Sequence, residues 1–384
     1  HTRSLCDWSS DVCSSDLPTP GGPIPAPVPK KITIQEVQSS GYDSPIMTPP
    51  VPPSVDLQKL KTQIRCWSGE LGFDGIGISD TEIGDAEQYL FSWLKGNYHG
   101  EMAYLARHGT RRSRPAELIP GTIRVITVRM NYWCDSASSA TAILSDPEAA
   151  YISRYALGRD YHKIMRRKLQ KLADRITSEV GGYQFRAFVD SAPVMEKPLG
   201  VKSGLGWMGK HTNLIDRDTG SWFFLGELYT DLPLPFDTPQ KDNCGSCARC
   251  ITACPTNAIT APYELDARLC ISYLTIEHKS SIPEPLRALI GNRIFGCDDC
   301  QLVCPWNRDA APTQLTEFAP RHDLDASALI ELFQWSEGEF DRKTTGSPIR
   351  RAGYECWLRN LAIALGNAPT SKAVTNALLL RLAH

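Results

Sequence analysis

Apolar residues at Leu57, Leu60, Ile64, Trp67 and Leu71 recur near a 3.6-residue period, which predicts a helix over 56–71. GFDGIGIS (72–79) reads as a glycine-punctuated strand, and EQYLFSWLKGNYHGEMAYLARH (87–108) as helical segments with turn residues between them. RVITVRMNYW (124–133) has the composition of a strand. Over 160–180 the period is helical again: Ile164, Leu169, Leu172, Ile176 and Val180 share a face, Asp160 suits the N-cap and Gly181 suits the end. FRAFVDS (185–191) and WFFLGELYT (222–230) are further strands. The alternation predicts an α/β (α+β) layered domain with a mixed sheet over 55–235. Strict βαβ repeats are missing, and SGLGWMGK (203–210) puts Trp207 and Met208 where a phosphate cradle needs small residues, so the pattern is not that of a dinucleotide fold.

Beyond a proline-rich connector at 231–243, a cysteine-rich module is expected over 236–310 and a helical region over 311–384. The last 29 residues, from Cys356 to His384, predict a helix, a turn at Gly366–Pro369 and a second helix. That is one HEAT-like hairpin, cut at the chain end before it could stack on a full neighbour, so a truncated C-terminal region is expected. At the other end, DWSSDVCSSDL (7–17) reads like a translated sequencing adaptor, so 1–17 are set aside as an artefact. The proline-rich stretch 18–54 is expected to be a disordered leader.

Composition narrows the class. Hydrophobic residues make up 42% of the 384 positions and charged residues 22%, enough to bury a sizeable core. A net charge of −2 gives no global nucleic-acid signal, so any RNA contact must use a local basic patch. The candidates are Arg111, Arg112 and Arg114; Arg166, Arg167, Lys168 and Lys171; and Arg342, Lys343, Arg350, Arg351 and Arg359. The third group is the best candidate for phosphate contacts, because it abuts the repeat-like helices. No apolar run reaches the roughly 18 residues of a membrane span, and neither a secretory nor a twin-arginine signal is present. A cytoplasmic protein without membrane contact is expected.

Seven of the 13 cysteines fall in two tight groups, the pattern of metal thiolates rather than disulfides. Cys244-x2-Cys247-x2-Cys250-x3-Cys254-Pro255 is the bacterial ferredoxin run, whose fourth cysteine ligates the other cluster. Cys297-x2-Cys300-x3-Cys304-Pro305 is one cysteine short, and Cys270 is the obvious substitute. Crossed pairing then gives one 4Fe–4S cluster to Cys244, Cys247, Cys250 and Cys304, and a second to Cys254, Cys270, Cys297 and Cys300. Two zinc sites are the alternative, disfavoured by the Cys-Pro endings and the three-cysteine run. Cys66, Cys134 and Cys356 stand alone and read as buried small apolar residues.

Two adjacent clusters form an electron wire, and some 180 residues upstream should hold what the wire feeds. There Asp190 sits at a strand end before a Ser-Ala-Pro turn, where burial would raise its pKa toward general-acid use; capping of the turn is the plainer role. RYALGRDYH, VDSAPVMEK, GLGWMGKHTN, CGSCARCITACPTNAI, CISYLTIEH and GCDDCQLVCPWN, in this order, resemble the epoxyqueuosine reductase family over roughly 56–384.

The resemblance implies cobalamin in the α/β domain, electrons passing to it through the two clusters, and removal of the epoxide oxygen of epoxyqueuosine at the tRNA wobble position. It implies that Asp190 donates a proton and that the eight cysteines divide as above. It suggests Arg154, Tyr155, Asp190, Lys197, Trp207, Lys210, Thr212 and Ser272 as cobalamin contacts. His211 stands where the family often has Asn, and the family leaves cobalt without a protein ligand. The implied partners are tRNA carrying epoxyqueuosine and an electron donor that the sequence does not name; a monomer is expected. A cobalamin-dependent reductive dehalogenase and a non-catalytic ferredoxin-type carrier are the rival functions.

Overall fold

The computed structural model describes residues 55–382; the expectations for 1–17 and 18–54 lie outside them. Its centre is a four-stranded sheet of β1 (Gly75–Ser79), β2 (Arg124–Asn131), β3 (Phe185–Val189) and β4 (Phe223–Thr230), in the order β1-β2-β4-β3. Every neighbouring pair in it is antiparallel, which corrects the expected mixed sheet. The reason lies in the connections. A helical crossover carries the chain from β2 to β3 in the same direction, as such crossovers do. β4 then inserts between them, running the opposite way. Among the described residues, the parallel pairing joins Tyr151–Ile152 to Arg293–Phe295, outside this sheet.

Helices α1 (Leu57–Glu70) and α2 (Tyr161–Val180) cover one face of the sheet, where Leu60, Ile64, Met165, Leu169, Leu172 and Ile176 pack on Ile126, Val128, Phe224 and Leu228. α2 begins and ends as its sequence predicts. The Asp160 carboxylate accepts from the His162 amide (3.1 Å), and Gly181 closes the helix in the left-handed region, φ 82°. Met165 takes the fully buried position on that face and Ile164 is only partly buried. The short helix α3 (Glu196–Lys202) covers the opposite face, so the central strands β2 and β4 are buried on both sides.

The connector at 231–243 is irregular, and the cysteine module follows as short helices and turns. C-terminally, α4 (Tyr354–Asn367) and α5 (Lys372–Leu379) form the predicted hairpin. Their core is not separate. Trp357, Leu361 and Leu365 pack with Ile152, Leu157, Ile294 and Phe295, so residues from all three sequence regions share one cluster. Asn360, buried in α4, donates from Nδ2 to the carbonyls of Thr275 and Ile294 (2.8 Å each), tying the hairpin to the cysteine module. Asn360→Ala leaves both carbonyls unpartnered and is expected to cost roughly 2–4 kcal/mol, read as a lower denaturant midpoint at unchanged m-value; an unchanged midpoint would show that the tie is dispensable.

Candidate active site

A cavity of about 370 Å³ opens between the sheet and the cysteine module. The end of β3 brings Asp190 to it, the start of α2 brings Tyr161, and the start of α3 brings Glu196 and Lys197. Cys254, Cys270, Cys297 and Cys300 line its far side. These are the four cysteines assigned to the second cluster. Cys304 instead feels the charges of Cys244, Cys250 and Cys247, and packs with Cys244 beside Trp207 and Trp306. Cys300 also feels the charge of Cys250, so the two groups of thiols lie close to one another, and all eight are free of disulfides.

The donor set fits iron–sulfur ligation. Cys254 Sγ accepts a backbone N–H from Ala258 (3.2 Å), an amide-to-sulfur bond of the kind that tunes cluster potentials. The loop carrying Cys297 and Cys300 is held by buried Asp298, whose carboxylate accepts from Tyr151 (2.7 Å), Ser153 (2.6 Å) and the Arg154 amide (2.8 Å). This one residue fixes the second cysteine group against the upstream domain.

Around Asp190 the geometry is that of a proton-handling group. Asp160 Oδ1 lies 2.7 Å from His162 Nδ1, and His162 Nε2 lies 3.5 Å from Asp190 Oδ2. Tyr161 donates its hydroxyl to the same Asp190 oxygen, and its ring is clamped between Phe224 (centroids 3.8 Å, planes 4° apart) and His162 (4.0 Å). The Asp190 side chain is 45% exposed and lines the cavity.

Burial pushes the Asp190 carboxyl up, as expected from its position, yet the outcome is the reverse of that expectation. The hydrogen bond and charge of His162, with the Tyr161 hydroxyl, hold it below its ordinary value. For His162, burial favours the neutral ring, but Asp160 and Asp190 outweigh it and raise its pKa. Each partner thus favours the charged form of the other.

Of the other residues suggested by resemblance, Tyr155, Lys197, Thr212 and Ser272 line the cavity. Lys197 Nζ donates to the Thr212 carbonyl (3.0 Å) and to Asn213 (3.2 Å). Three lie elsewhere. Arg154 is buried under the ring of Trp133 and donates to the Ser138 carbonyl. Trp207 packs edge-on against Trp306 (5.0 Å). Lys210 donates to the carbonyls of Gly245 (2.6 Å) and Cys247 (2.9 Å), bracing the first cysteine loop. His211 does line the cavity. Burial, with Lys197 nearby, pushes its pKa down to about 4, so the ring is neutral.

In the basic group, Arg342, Arg350 and Arg351 are exposed, with Arg350 3.2 Å from Asp341, and Lys343 lies over the Trp335 ring. Arg351 acts electrostatically on Asp160, His162 and Asp190, which puts it on the active-site side. Arg359 is a scaffold residue: its guanidinium donates to the carbonyls of His278, Ser280 and Leu274 and to Asn360, leaving it committed within the protein. Sequence reasoning missed Tyr161, His162 and Glu196. The Asp-Tyr-His run at a helix start was the available signal for the first two.

Residues 112–191 match the family model Epoxyqueuosine reductase QueG, DUF1730, and residues 243–307 match the model of a 4Fe-4S double cluster binding domain. The chain is 58% identical over 327 residues to the epoxyqueuosine reductase of Pseudomonas aeruginosa, covering 85% of this chain and 90% of that one. It is 55% identical over 324 residues to that of Escherichia coli, covering 84% and 85%. Among solved structures it is similar to an epoxyqueuosine reductase from Bacillus subtilis with its catalytic aspartate loop swung out of the active site (TM-score 0.75, 28% identity, 84% and 85% covered). It is also similar to an epoxyqueuosine reductase bound to an epoxyqueuosine-modified tRNA-Tyr stem loop (TM-score 0.74, 28% identity, 81% and 82% covered).

Proposed function

The chain belongs to the epoxyqueuosine reductase family, and from that premise we propose how its own residues carry the reaction. It reduces epoxyqueuosine to queuosine in tRNA, an oxidoreductase activity on a modified nucleoside, and the rival dehalogenase and carrier readings fall away. The change takes two electrons and two protons: the epoxide oxygen leaves as water and a carbon–carbon double bond remains.

One observation carries the reading. Asp190 and the cysteines Cys254, Cys270, Cys297 and Cys300 open onto the same cavity, so a proton donor and an electron source face one space. Cys244, Cys247, Cys250 and Cys304 would hold the outer cluster and the cavity foursome the inner one. When bound, the clusters pass single electrons. A corrinoid would occupy the space between. Phe223, Leu214, Leu225 and Ile271 give the cavity an apolar lining suited to a flat macrocycle, and His211 Nε2 is a buried polar atom without a partner there. Tyr155, Lys197, Thr212 and Ser272 would hold the group, which would supply strongly reducing chemistry there.

The residues of the chain handle charge and protons. As the C–O bond opens, negative charge builds on the oxygen. Asp190 hands it the proton stored with His162, and Tyr161 keeps Asp190 Oδ2 aimed. Asp160 fixes His162 from behind through Nδ1, the role a carboxylate plays when it orients an imidazole. Arg342, Lys343, Arg350 and Arg351 would contact tRNA phosphates beside the α4–α5 hairpin, which we assign to the HEAT-like class. No helix among the described residues is long and apolar enough to cross a membrane, and a cluster-bearing chain of this kind suits the reducing cytoplasm.

The test is direct. Anaerobic protein reconstituted with iron, sulfide and cobalamin is given reductant and epoxyqueuosine-containing tRNA, and the nucleosides are digested and weighed. Conversion to a nucleoside lighter by one oxygen is expected. An unchanged nucleoside with fully loaded protein would refute the assignment.

A further inference from the structure

The strand β4 carries an acid where the sheet is buried on both faces. Glu227 is fully buried, and neither of its carboxylate oxygens has a hydrogen-bond partner. Along β4, Phe224 and Leu228 point into the core under α1 and α2, so Glu227 points to the other face, beneath α3. Directly across from it on β2 is Thr127, whose buried hydroxyl is also without a partner, and Ser79 of β1 adds a second such hydroxyl on the same face. α3 begins with Glu196, which lines the cavity with Asp190 while its own Oε2 is buried and unpartnered. The nearest cation in sequence, Lys197, spends its ammonium group on the Thr212 carbonyl and Asn213.

Two carboxyl groups so placed favour the neutral acid. An isolated buried carboxylate costs several kcal/mol, and taking up a proton removes that cost. Burial and the Asp190 charge, against weaker opposing pulls from Lys197 and His162, leave Glu196 pushed up to about 8. Burial and then the charges of Glu196 and Asp190 push Glu227 well above the carboxylate range. The reaction consumes two protons, and the Asp190–His162 pair holds one.

We propose that Glu196, backed by Glu227, is the second proton store of the active site, reloading Asp190 after its first transfer. This rests on Asp190 as the donor to the substrate oxygen. The bookkeeping of atoms is simple. The O–H bond of Glu196 breaks and an O–H bond forms on the Asp190 carboxylate. Asp190 passes that proton to the oxygen, completing water. Glu196 regains a proton from solvent through the cavity it lines, while Glu227, sealed beneath α3, keeps its own. The two electrons come through the clusters from the electron donor, the reductant of the assay. Glu227 touches neither substrate nor cofactor and acts only through Glu196.

Infrared difference spectra and single-turnover rates on the loaded enzyme test the proposal together. In the wild type, two protonated-carboxyl bands are expected at pH 7, one vanishing with Glu196→Gln and the other with Glu227→Gln. The Glu196 band should titrate away near pH 8, and the wild-type rate should fall with it. Glu196→Gln should lose about 10²-fold in rate and lose that alkaline limb, while Glu196→Asp restores the limb and part of the rate. Unchanged carboxyl bands in Glu196→Gln would overturn the proposal, and so would a wild-type rate and pH profile in that variant. Failure of the Asp190 reading looks different: Asp190→Asn would turn over normally while both infrared bands persisted.

Discussion

Asp190→Asn should turn over epoxyqueuosine-containing tRNA about 10²–10⁴-fold more slowly than the wild type, the range lost when a positioned general acid is removed, with iron content and corrinoid binding intact. The amide keeps the shape of the carboxylate but cannot carry the proton to the leaving oxygen. A second readout separates this from a structural effect. His162 owes its raised pKa to Asp160 and Asp190 acting against burial, so removing one carboxylate should lower the pKa of the ring, visible in its imidazole proton resonances.

Stability should follow the same pair. The depressed carboxyl of Asp190 stabilises the fold above its ordinary value of 3.8, an effect lost as pH falls through the lower folded-state value. The raised imidazole of His162 stabilises below its ordinary 6.5, an effect lost as pH rises through the higher folded-state value. The pair therefore contributes most between those limits, and the Asn variant should show a flatter pH–stability curve there. Normal turnover in Asp190→Asn would remove the residue from the chemistry.

Local signals made much of this fold readable. The caps of α2 at Asp160 and Gly181 and the period between them depend on residues near in sequence, and the structure follows them. Cysteine spacing carried further still, because tight loops of thiolates leave few alternatives for a metal. What the sequence hid is what the sheet order creates. β4 inserts between β2 and β3, and that insertion brings the start of α2 and the end of β3 to one cavity, so Tyr161 meets Asp190 across 29 positions. The proton balance of Asp190 could not be read without knowing that a histidine faces it. Arg154, Lys210 and Arg359 looked like ligand contacts because cations often are; backbone carbonyls distant in sequence claim all three. One clue was legible and passed over. A glutamate inside the apolar strand WFFLGELYT contradicts its surroundings, and such a residue asks for a function.

Cys270→Ser should lower the iron content from about eight to about four atoms per chain and abolish turnover. Cys270 is the one proposed ligand outside the two cysteine runs, held at the N-terminal edge of the short Ile271–Ile276 helix. Its side chain faces the cavity with Cys254, Cys297 and Cys300, and a serine hydroxyl is a far poorer ligand for iron than a thiolate. The cluster lost should be the one beside the active site. Cys244, Cys247, Cys250 and Cys304 keep their own grouping, so the outer cluster should survive and remain visible by electron paramagnetic resonance after reduction. With the inner cluster gone, electrons would reach the protein but stop short of the cavity. Cys134→Ser is the control: that thiol lies 3.0 Å from the Ser136 hydroxyl, in neither cysteine foursome, and its loss should leave both iron content and turnover alone. Full iron content and unchanged spectra in Cys270→Ser would refute the partition of the eight cysteines, and with it the claim that the inner cluster borders the site of epoxide reduction.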